Sequence, residues 1–284
     1  MSKEFVIIGG GQLGSELAKK YPDALAVDYP EIDITKPESL DKIDWSDKTT
    51  ILNAAAMTAV DDAQIPANCE KVFDINTYGV RNLAEIAIKH GLHMIHVSSD
   101  YVFDGTHANH PEDETFSPMN VYGISKMLGD KEAAKAKRYH IIRTSWVVGD
   151  GNNFIKTMFG LAQRDIKPSV VNDQFGRLTF TSELVRAIDH IIRNEIAYGT
   201  YNVSNSGPIK SWDEIAADVY ELAGHSRDEV TGVSTMEYYA GKKNIAPRPE
   251  NSDLNLSKIQ ATGFESHDYP QLVEEYVDKL KESL

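Results

Sequence analysis

The sequence predicts an α/β protein with a doubly wound parallel sheet and a smaller, mostly C-terminal α/β lobe. Over the first half of the chain, short runs of β-branched and aromatic residues alternate with amphipathic helix patterns. A glycine-rich turn follows the first of these runs. After Thr144 the alternation becomes less regular, which indicates that a second lobe is added to the sheet.

The predicted elements follow from apolar periodicity and from residues that begin or end a helix. Apolar positions three and four apart predict a long helix that Gly91 ends, and Pro37 favours the start of another. Buried strands are predicted at residues 5–8, 25–28, 50–53, 93–97, 140–143, 169–171 and 200–203. Helices are predicted after residue 14 and over 68–90, 118–135, 152–163, 182–193, 211–223 and 269–280, with a loop over 241–252.

Composition restricts the classes of function. The 284 residues fit one large domain or two modest ones, and a net charge of −14 argues against nucleic acid or an anionic membrane as a general partner. The single cysteine, Cys69, excludes an intramolecular disulfide framework, and no apolar run suits a signal peptide or a membrane span. We expect a cytoplasmic monomer or homodimer.

The pattern Gly9-x-Gly11-x-x-Gly14 joins the first predicted strand to the first helix. Glycines at this spacing let backbone N–H groups and a helix N-terminus approach a pyrophosphate. Asp28 ends the second predicted strand, where Rossmann-like folds place a carboxylate on the adenosine ribose, which favours a free 2′-hydroxyl over a 2′-phosphate. A strand-to-helix turn without a ligand and a turn-capping aspartate are the plainer alternatives.

Residues 98–126 carry the side chains suited to acid–base chemistry. Ser99 and Asp100 follow the fourth predicted strand, at the carboxyl end where open parallel sheets bind ligands. Tyr122 and Lys126 are four apart on a predicted helix, so the ammonium can lie close to the phenol. We expect Lys126 to lower the pKa of Tyr122 from its usual value of about 10. A solvated helix face is the alternative.

His90, His93 and His96 are spaced three apart, which is compatible with metal binding. They straddle a helix end and a strand whose side chains alternate between two faces, so they are not expected to converge. We therefore predict no metal site.

Longer motifs support a resemblance to a known family. With the Tyr122-x-x-x-Lys126 pair, Ser99 and the glycine turn, they resemble the dTDP-4-dehydrorhamnose reductase family of the extended short-chain dehydrogenase/reductase superfamily. Ser99 stands where the family usually has Thr, and the glycine turn is one residue shorter than the superfamily's usual Gly-x-x-Gly-x-x-Gly. The matching motifs span nearly the whole chain, at residues 53–61, 98–105, 117–126, 143–147, 151–154, 172–176 and 248–249.

The resemblance implies an oxidoreductase that reduces the C4 ketone of dTDP-4-dehydro-L-rhamnose with NADH or NADPH, in nucleotide-sugar and cell-surface polysaccharide biosynthesis. It implies that Tyr122 donates the proton, that Lys126 holds the nicotinamide ribose, and that Ser99 and Asp100 contact the substrate. The residues assigned to the cofactor, by the glycine turn or by the resemblance, are Gly9, Gly11, Gln12, Leu13, Asp28, Asp33, Ile34, Ala55, Ala56, Thr58, Tyr122 and Lys126.

The region after Thr144 is expected to read the sugar nucleotide. Trp146 matches a family position at the deoxyhexose and offers a flat apolar face. Asn153 and Gln174 offer amide groups. Arg177 and Arg248 offer guanidinium groups, and for each of these two a surface ion pair is an equal alternative. We expect residues 1–150, joined by about 178–206, to form the NAD(P)-binding domain and residues 151–284 mainly the substrate lobe. The candidates are Trp146, Asn153, Gln174, Arg177 and Arg248.

Two other classes of function stay open. Dehydratases of the superfamily usually have an acidic residue directly after the catalytic Asp, where this chain has Tyr101, but a sugar-nucleotide epimerase is compatible with the sequence. A non-catalytic NAD(P)-binding regulatory subunit would be favoured by loss of the Tyr–Lys pair, which is present.

Overall fold

The computed structural model describes residues 2–283. The strands of this part of the chain are β1 (Phe5–Ile8), β2 (Leu25–Val27), β3 (Thr50–Asn53), β4 (His93–Ser99), β5 (Tyr139–Thr144), β6 (Val147–Val148), β7 (Ser169–Val171), β8 (Phe175–Gly176), β9 (Thr179–Phe180), β10 (Gly199–Asn202), β11 (Lys210–Ser211) and β12 (Thr231–Val233). Six of them form the central sheet in the order β10-β5-β4-β3-β1-β2, in which every neighbouring pair is parallel. The predicted parallel sheet is confirmed.

Helices cover both faces of the sheet and build the rest of the chain. The predicted 68–90 helix is a continuous run of α4, a π-helical segment (Asp74–Gly79) and α5, and Gly91 ends it in the left-handed conformation. The α-helices are α1 (Gln12–Lys20), α2 (Pro37–Leu40), α3 (Val60–Ala63), α4 (Cys69–Phe73), α5 (Val80–His90), α6 (Val121–Ala133), α7 (Phe154–Ala162), α8 (Thr181–Arg193), α9 (Trp212–Leu222), α10 (Thr235–Tyr238), α11 (Ser257–Gln260) and α12 (Tyr269–Glu282). Within residues 2–283, no helix has the length and apolar character needed to cross a bilayer.

Alternating residues of β1 divide the apolar core in two. Phe5 and Ile7 pack with α1 and α8 on one face of the sheet, whereas Val6 and Ile8 pack with α2 and α5 on the other. A third apolar cluster lies apart from the sheet and is built from residues 148–180, 215–220 and 269–277. Although both come late in the chain, β10 is a strand of the central sheet and α8 packs against one face of that sheet.

The glycine turn is a close contact between β1 and α1. Gly9 has a φ of 102°, and a Cβ on Gly14 would lie 1.7 Å from the Gly9 carbonyl oxygen, so neither position accepts a side chain without rearrangement. Gly11 differs, because a Cβ there would meet no atom within 4 Å. The turn is thus tightly packed beneath Gly14 and open above Gly11.

We expect Gly14→Ala to lower the free energy of unfolding by about 1–3 kcal/mol or more, because the added methyl group forces α1 away from β1. Gly11→Ala is the matched control and should change it by less than about 0.5 kcal/mol, since its φ of −66° suits alanine. Urea denaturation followed by tryptophan fluorescence measures both values. Equal destabilisation by the two substitutions would contradict this account of the turn.

Candidate functional site

A cavity of about 840 Å³ opens at the carboxyl ends of the central strands. Its size lies within the range of small-molecule sites. The predicted cofactor residues all line it, because the glycine turn and the ends of β2 and β3 meet at this edge of the sheet. They are Gly9, Gly11, Gln12, Leu13, Asp28, Asp33, Ile34, Ala55, Ala56, Thr58, Tyr122 and Lys126.

The other predicted catalytic residues, Ser99 and Asp100, line the same cavity. The Asn120 side chain accepts a 2.7 Å hydrogen bond from the Gly123 N–H, so α6 begins at Val121 and places Tyr122 in its first turn. A Cβ on Gly123 would lie 2.2 Å from the Tyr101 carbonyl oxygen. This close approach brings Tyr122 against the end of β4.

The Ser99 hydroxyl donates a 2.9 Å hydrogen bond to Asp100 Oδ1 and accepts one from the Tyr101 N–H at 3.2 Å. Asp100 is buried, and burial raises its pKa to about 6, while the nearby Ser252 and Ser99 hydroxyls act in the opposite direction. Its second carboxyl oxygen is buried and has no hydrogen-bond partner in the described part of the chain. A polar acceptor is thus available beside Ser99.

The pKa of Tyr122 is raised, chiefly by burial, whereas a hydrogen bond with Ser99 lowers it and the charges of Asp100 and Asp130 raise it further. The expectation that Lys126 lowers this pKa was therefore wrong. The Lys126 ammonium instead donates a 2.7 Å hydrogen bond to the Val97 carbonyl oxygen. The phenol stays protonated at neutral pH, as a proton donor must.

Beneath Tyr122, Lys126 is almost fully buried, and burial lowers its pKa to about 8, while Asp130 one helical turn further on acts to raise it. Asp130 is itself buried and accepts a 3.1 Å hydrogen bond from Arg143 Nε on β5. Sequence reasoning missed Asp130, although its spacing of four after Lys126 places both residues on the same helix face.

Trp146 also lines the cavity and follows β5 with a φ of 47°, a conformation that is costly for a bulky side chain. Its ring stacks on Trp212 with the centroids 3.7 Å apart and the planes at 20°. One face of the indole is therefore covered by α9. This stacking fixes the orientation in which Trp146 borders the cavity.

The other predicted substrate residues do not line this cavity. Asn153 accepts from the Lys156 N–H at 2.9 Å at the start of α7 and donates to the Gly149 carbonyl oxygen and the Tyr276 hydroxyl. Gln174 donates to Thr235 Oγ1 at 2.9 Å. Their amides are thus engaged within the C-terminal lobe.

Both candidate arginines are paired with carboxylates. Arg177 donates to Asp253 and to the Leu254 carbonyl oxygen, and it lies outside the cavity. Arg248 donates to Asp61 Oδ2 at 2.8 Å. Both arginines are thus in ion pairs, but each side chain is only 15% exposed, so these are largely buried pairs rather than the surface ion pairs of the alternative.

Comparisons with known proteins agree with this geometry. Residues 4–282 match the family described as the RmlD substrate binding domain. The dTDP-4-dehydrorhamnose reductase of Aggregatibacter actinomycetemcomitans is 37% identical over 95% of this chain and 96% of that protein.

Two solved structures are similar over almost their whole length. One is described as dTDP-4-dehydrorhamnose reductase from Bacillus anthracis in complex with NADP, with a TM-score of 0.87 and 33% identity over 96% of this chain and 98% of that one. The other, from Clostridium acetobutylicum, has a TM-score of 0.88 and 31% identity over 98% and 99%. This chain therefore belongs to the RmlD substrate binding domain family, the dTDP-4-dehydrorhamnose reductases of the extended short-chain dehydrogenase/reductase superfamily.

Proposed function

We propose that this protein is an NAD(P)H-dependent reductase that converts the C4 ketone of dTDP-4-dehydro-L-rhamnose into the alcohol of dTDP-L-rhamnose, for cell-surface polysaccharide biosynthesis. One observation carries the proposal: a single cavity joins the glycine turn to Tyr122 and Lys126. The relatives named as this reductase support the same reaction.

The residues at the glycine turn fit a dinucleotide. The open space above Gly11 leaves room for a pyrophosphate at the N-terminus of α1, and Asp28 lies where it can accept from a ribose hydroxyl. When bound, NAD(P)H supplies the hydride. Lys126 holds the nicotinamide ribose through its ammonium, which lies at the bottom of the same cavity.

Tyr122 gives its hydroxyl proton to the oxygen of the sugar ketone as the hydride reaches the C4 carbon. No full negative charge therefore develops on that oxygen. Burial keeps the phenol protonated until this step. The Ser99 hydroxyl turns its proton from Asp100 to the same substrate oxygen and so orients it. Asp100, whose second oxygen has no hydrogen-bond partner among residues 2–283, accepts from a sugar hydroxyl.

We infer that Trp146, which lines the cavity, packs against the 6-deoxy sugar. Arg248 contributes to the substrate pyrophosphate only by exchanging its contact with Asp61, whose side chain is 38% exposed. Asn153, Gln174 and Arg177 hold the lobe together through the contacts described above rather than touching the substrate.

The proposed division of labour assigns residues 1–150 with about 178–206 to the cofactor and residues 151–284 mainly to the substrate. Residues 148–180, 215–220 and 269–277 share an apolar cluster of their own, which supports treating much of this region as a separate substrate lobe. We further propose a cytoplasmic monomer or homodimer. Light scattering of the purified protein tests the oligomeric state, and a larger assembly would contradict it.

A spectrophotometric assay tests the function directly. Oxidation of NADH or NADPH is followed with freshly generated dTDP-4-dehydro-L-rhamnose and, in parallel, its UDP counterpart. The expected product is dTDP-L-rhamnose. Absence of oxidation with the dTDP sugar would overturn the proposed substrate, and turnover confined to the UDP sugar would reassign the nucleotide.

Tyr122→Phe should lower turnover by about 10²-fold or more, because the ring still packs but the proton donor is gone. Cofactor affinity should stay close to that of the wild type. Tyr101→Phe is the matched control, since its ring packs edge to face against Tyr122 with centroids 5.5 Å apart and no proposed step uses its hydroxyl. Steady-state kinetics measures both variants, and wild-type turnover in Tyr122→Phe would remove Tyr122 from this role.

NADH should be at least as good a cofactor as NADPH, because the Asp28 carboxylate repels a 2′-phosphate. Asp28→Asn should shift the ratio of kcat/KM values towards NADPH by about fivefold or more. Asp41→Asn removes the same charge from an exposed position outside the cavity and should leave the ratio unchanged. A strong NADPH preference of the wild type would show that Asp28 does not face the ribose.

Trp146→Ala should raise KM for the sugar nucleotide and lower kcat, by about tenfold each, because positioning is lost. The Kd for NADH, measured by fluorescence titration, should stay nearly unchanged. Trp146→Phe keeps a flat ring and should lose less. Equal weakening of cofactor and substrate binding by Trp146→Ala would contradict the proposed division of labour.

A further inference from the structure

A group of potential metal ligands lies in the loop between β4 and α6. His107, His110 and Glu114 each offer one donor atom, and these atoms lie within 4.8 Å of one another. None of the three residues lines the cofactor cavity. The group is therefore separate from the site described above.

His93 and His96, which with His90 were not expected to converge on a metal, have separate partners. His93 Nε2 lies 2.7 Å from His140 Nδ1, and His96 Nδ1 lies 3.0 Å from Asn53 Nδ2, so each has its own partner. Sequence reasoning did not consider the histidines of the loop after β4. The available signal was the spacing His107-x-x-His110-x-x-x-Glu114 within one loop.

The backbone fixes which nitrogen of His107 is free. Its Nδ1 lies 3.0 Å from the Ala108 carbonyl oxygen, to which it must donate a proton. In the neutral ring Nε2 then presents a lone pair, and it faces Glu114 Oε1 at 3.5 Å. Either a proton on Nε2 or a bound metal ion bridges such a pair, and a metal-binding histidine usually donates its other N–H to a carbonyl in this way.

His110 and Glu114 form the buried side of the group. His110 Nδ1 lies 2.8 Å from Glu114 Oε2, and the His110 ring is buried and stacked on Phe103 at 4.8 Å between centroids. The His110 N–H donates a hydrogen bond to the Asp253 carbonyl oxygen, and the His110 carbonyl oxygen accepts one from the Asn255 N–H. Two ligands are therefore held in place, whereas His107 is 55% exposed and free to adjust.

We propose that His107, His110 and Glu114 bind a divalent first-row transition metal ion such as Zn²⁺. Two imidazole nitrogens and one carboxylate oxygen are a common zinc donor set, and a water completes four ligands. Ligand atoms around tetrahedral zinc lie about 3.4 Å apart, close to the His107–Glu114 distance of 3.5 Å. The ion would replace the direct His110–Glu114 hydrogen bond, so that their separation of 2.8 Å widens slightly, and a rotation of His107 adjusts its own distances.

The ion would tie the exposed tip of this loop to its buried base. The loop connects Ser99 and Asp100 at the end of β4 to Tyr122 on α6, so the metal would order a connection between residues of the active site without contacting the substrate. The site would be structural, because it lies outside the cavity.

Calorimetric titration of untagged, EDTA-treated protein with ZnCl₂ tests the proposal. We expect one Zn²⁺ per chain with a micromolar or tighter Kd. His107→Ala should raise that Kd at least about tenfold, and Glu114→Gln should weaken binding in the same direction. His90→Ala removes an exposed histidine at the end of α5 and should leave the Kd unchanged.

Since His107 is exposed, His107→Ala should fold as the wild type does, which circular dichroism checks. Zn²⁺ should raise the melting temperature of the wild type and of His90→Ala, but not that of His107→Ala. Absence of zinc binding by the wild type, or the same Kd in His107→Ala and the wild type, would overturn the proposal.

Discussion

Burial of one ammonium group is the constraint on which the rest of the site depends. Lys126 is 1% exposed, so its charge must be balanced by groups inside the protein. The Val97 carbonyl oxygen on β4 and the Asp130 carboxylate on α6 meet this need, and Arg143 on β5 balances Asp130 in turn. The pairing of Ser98 with Arg143 between β4 and β5 keeps these groups together. The register of the sheet thus determines where the Lys126 ammonium lies.

The same burial sets the protonation of the whole site. It raises the pKa of Asp100 to about 6 and that of Tyr122 further above its usual range, and it lowers that of Lys126 to about 8. In each case removal from water favours the neutral form. A phenol is neutral at pH 7 even at its usual pKa of about 10, so Tyr122 is a proton donor here, although the raised pKa makes it a weaker acid.

The fold and the cofactor half of the site could be predicted because they depend on local signals. Apolar periodicity locates strands and helices, and parallel strands bring their carboxyl ends to one edge, so Gly11, Asp28 and Ser99 had to converge. The partners of Arg177 could not be predicted, since Asp253 is 76 residues away along the chain. The effect of Lys126 on the pKa of Tyr122 was misjudged for another reason: a helix spacing does not show how deeply the two side chains are buried.

The wall of the cavity that carries Trp146 depends on how the chain leaves and rejoins the sheet. After β5 the chain turns away at Trp146, and β6 pairs with β9 just before α8 returns to the sheet. Buried hydrogen bonds close this excursion, from Thr179 Oγ1 to Ser204 and from the Phe180 N–H to Asn205. Because these side chains are buried, breaking the bonds would leave polar groups unpaired. The sheet therefore fixes the position of Trp146, which follows β5, relative to Tyr122 on α6.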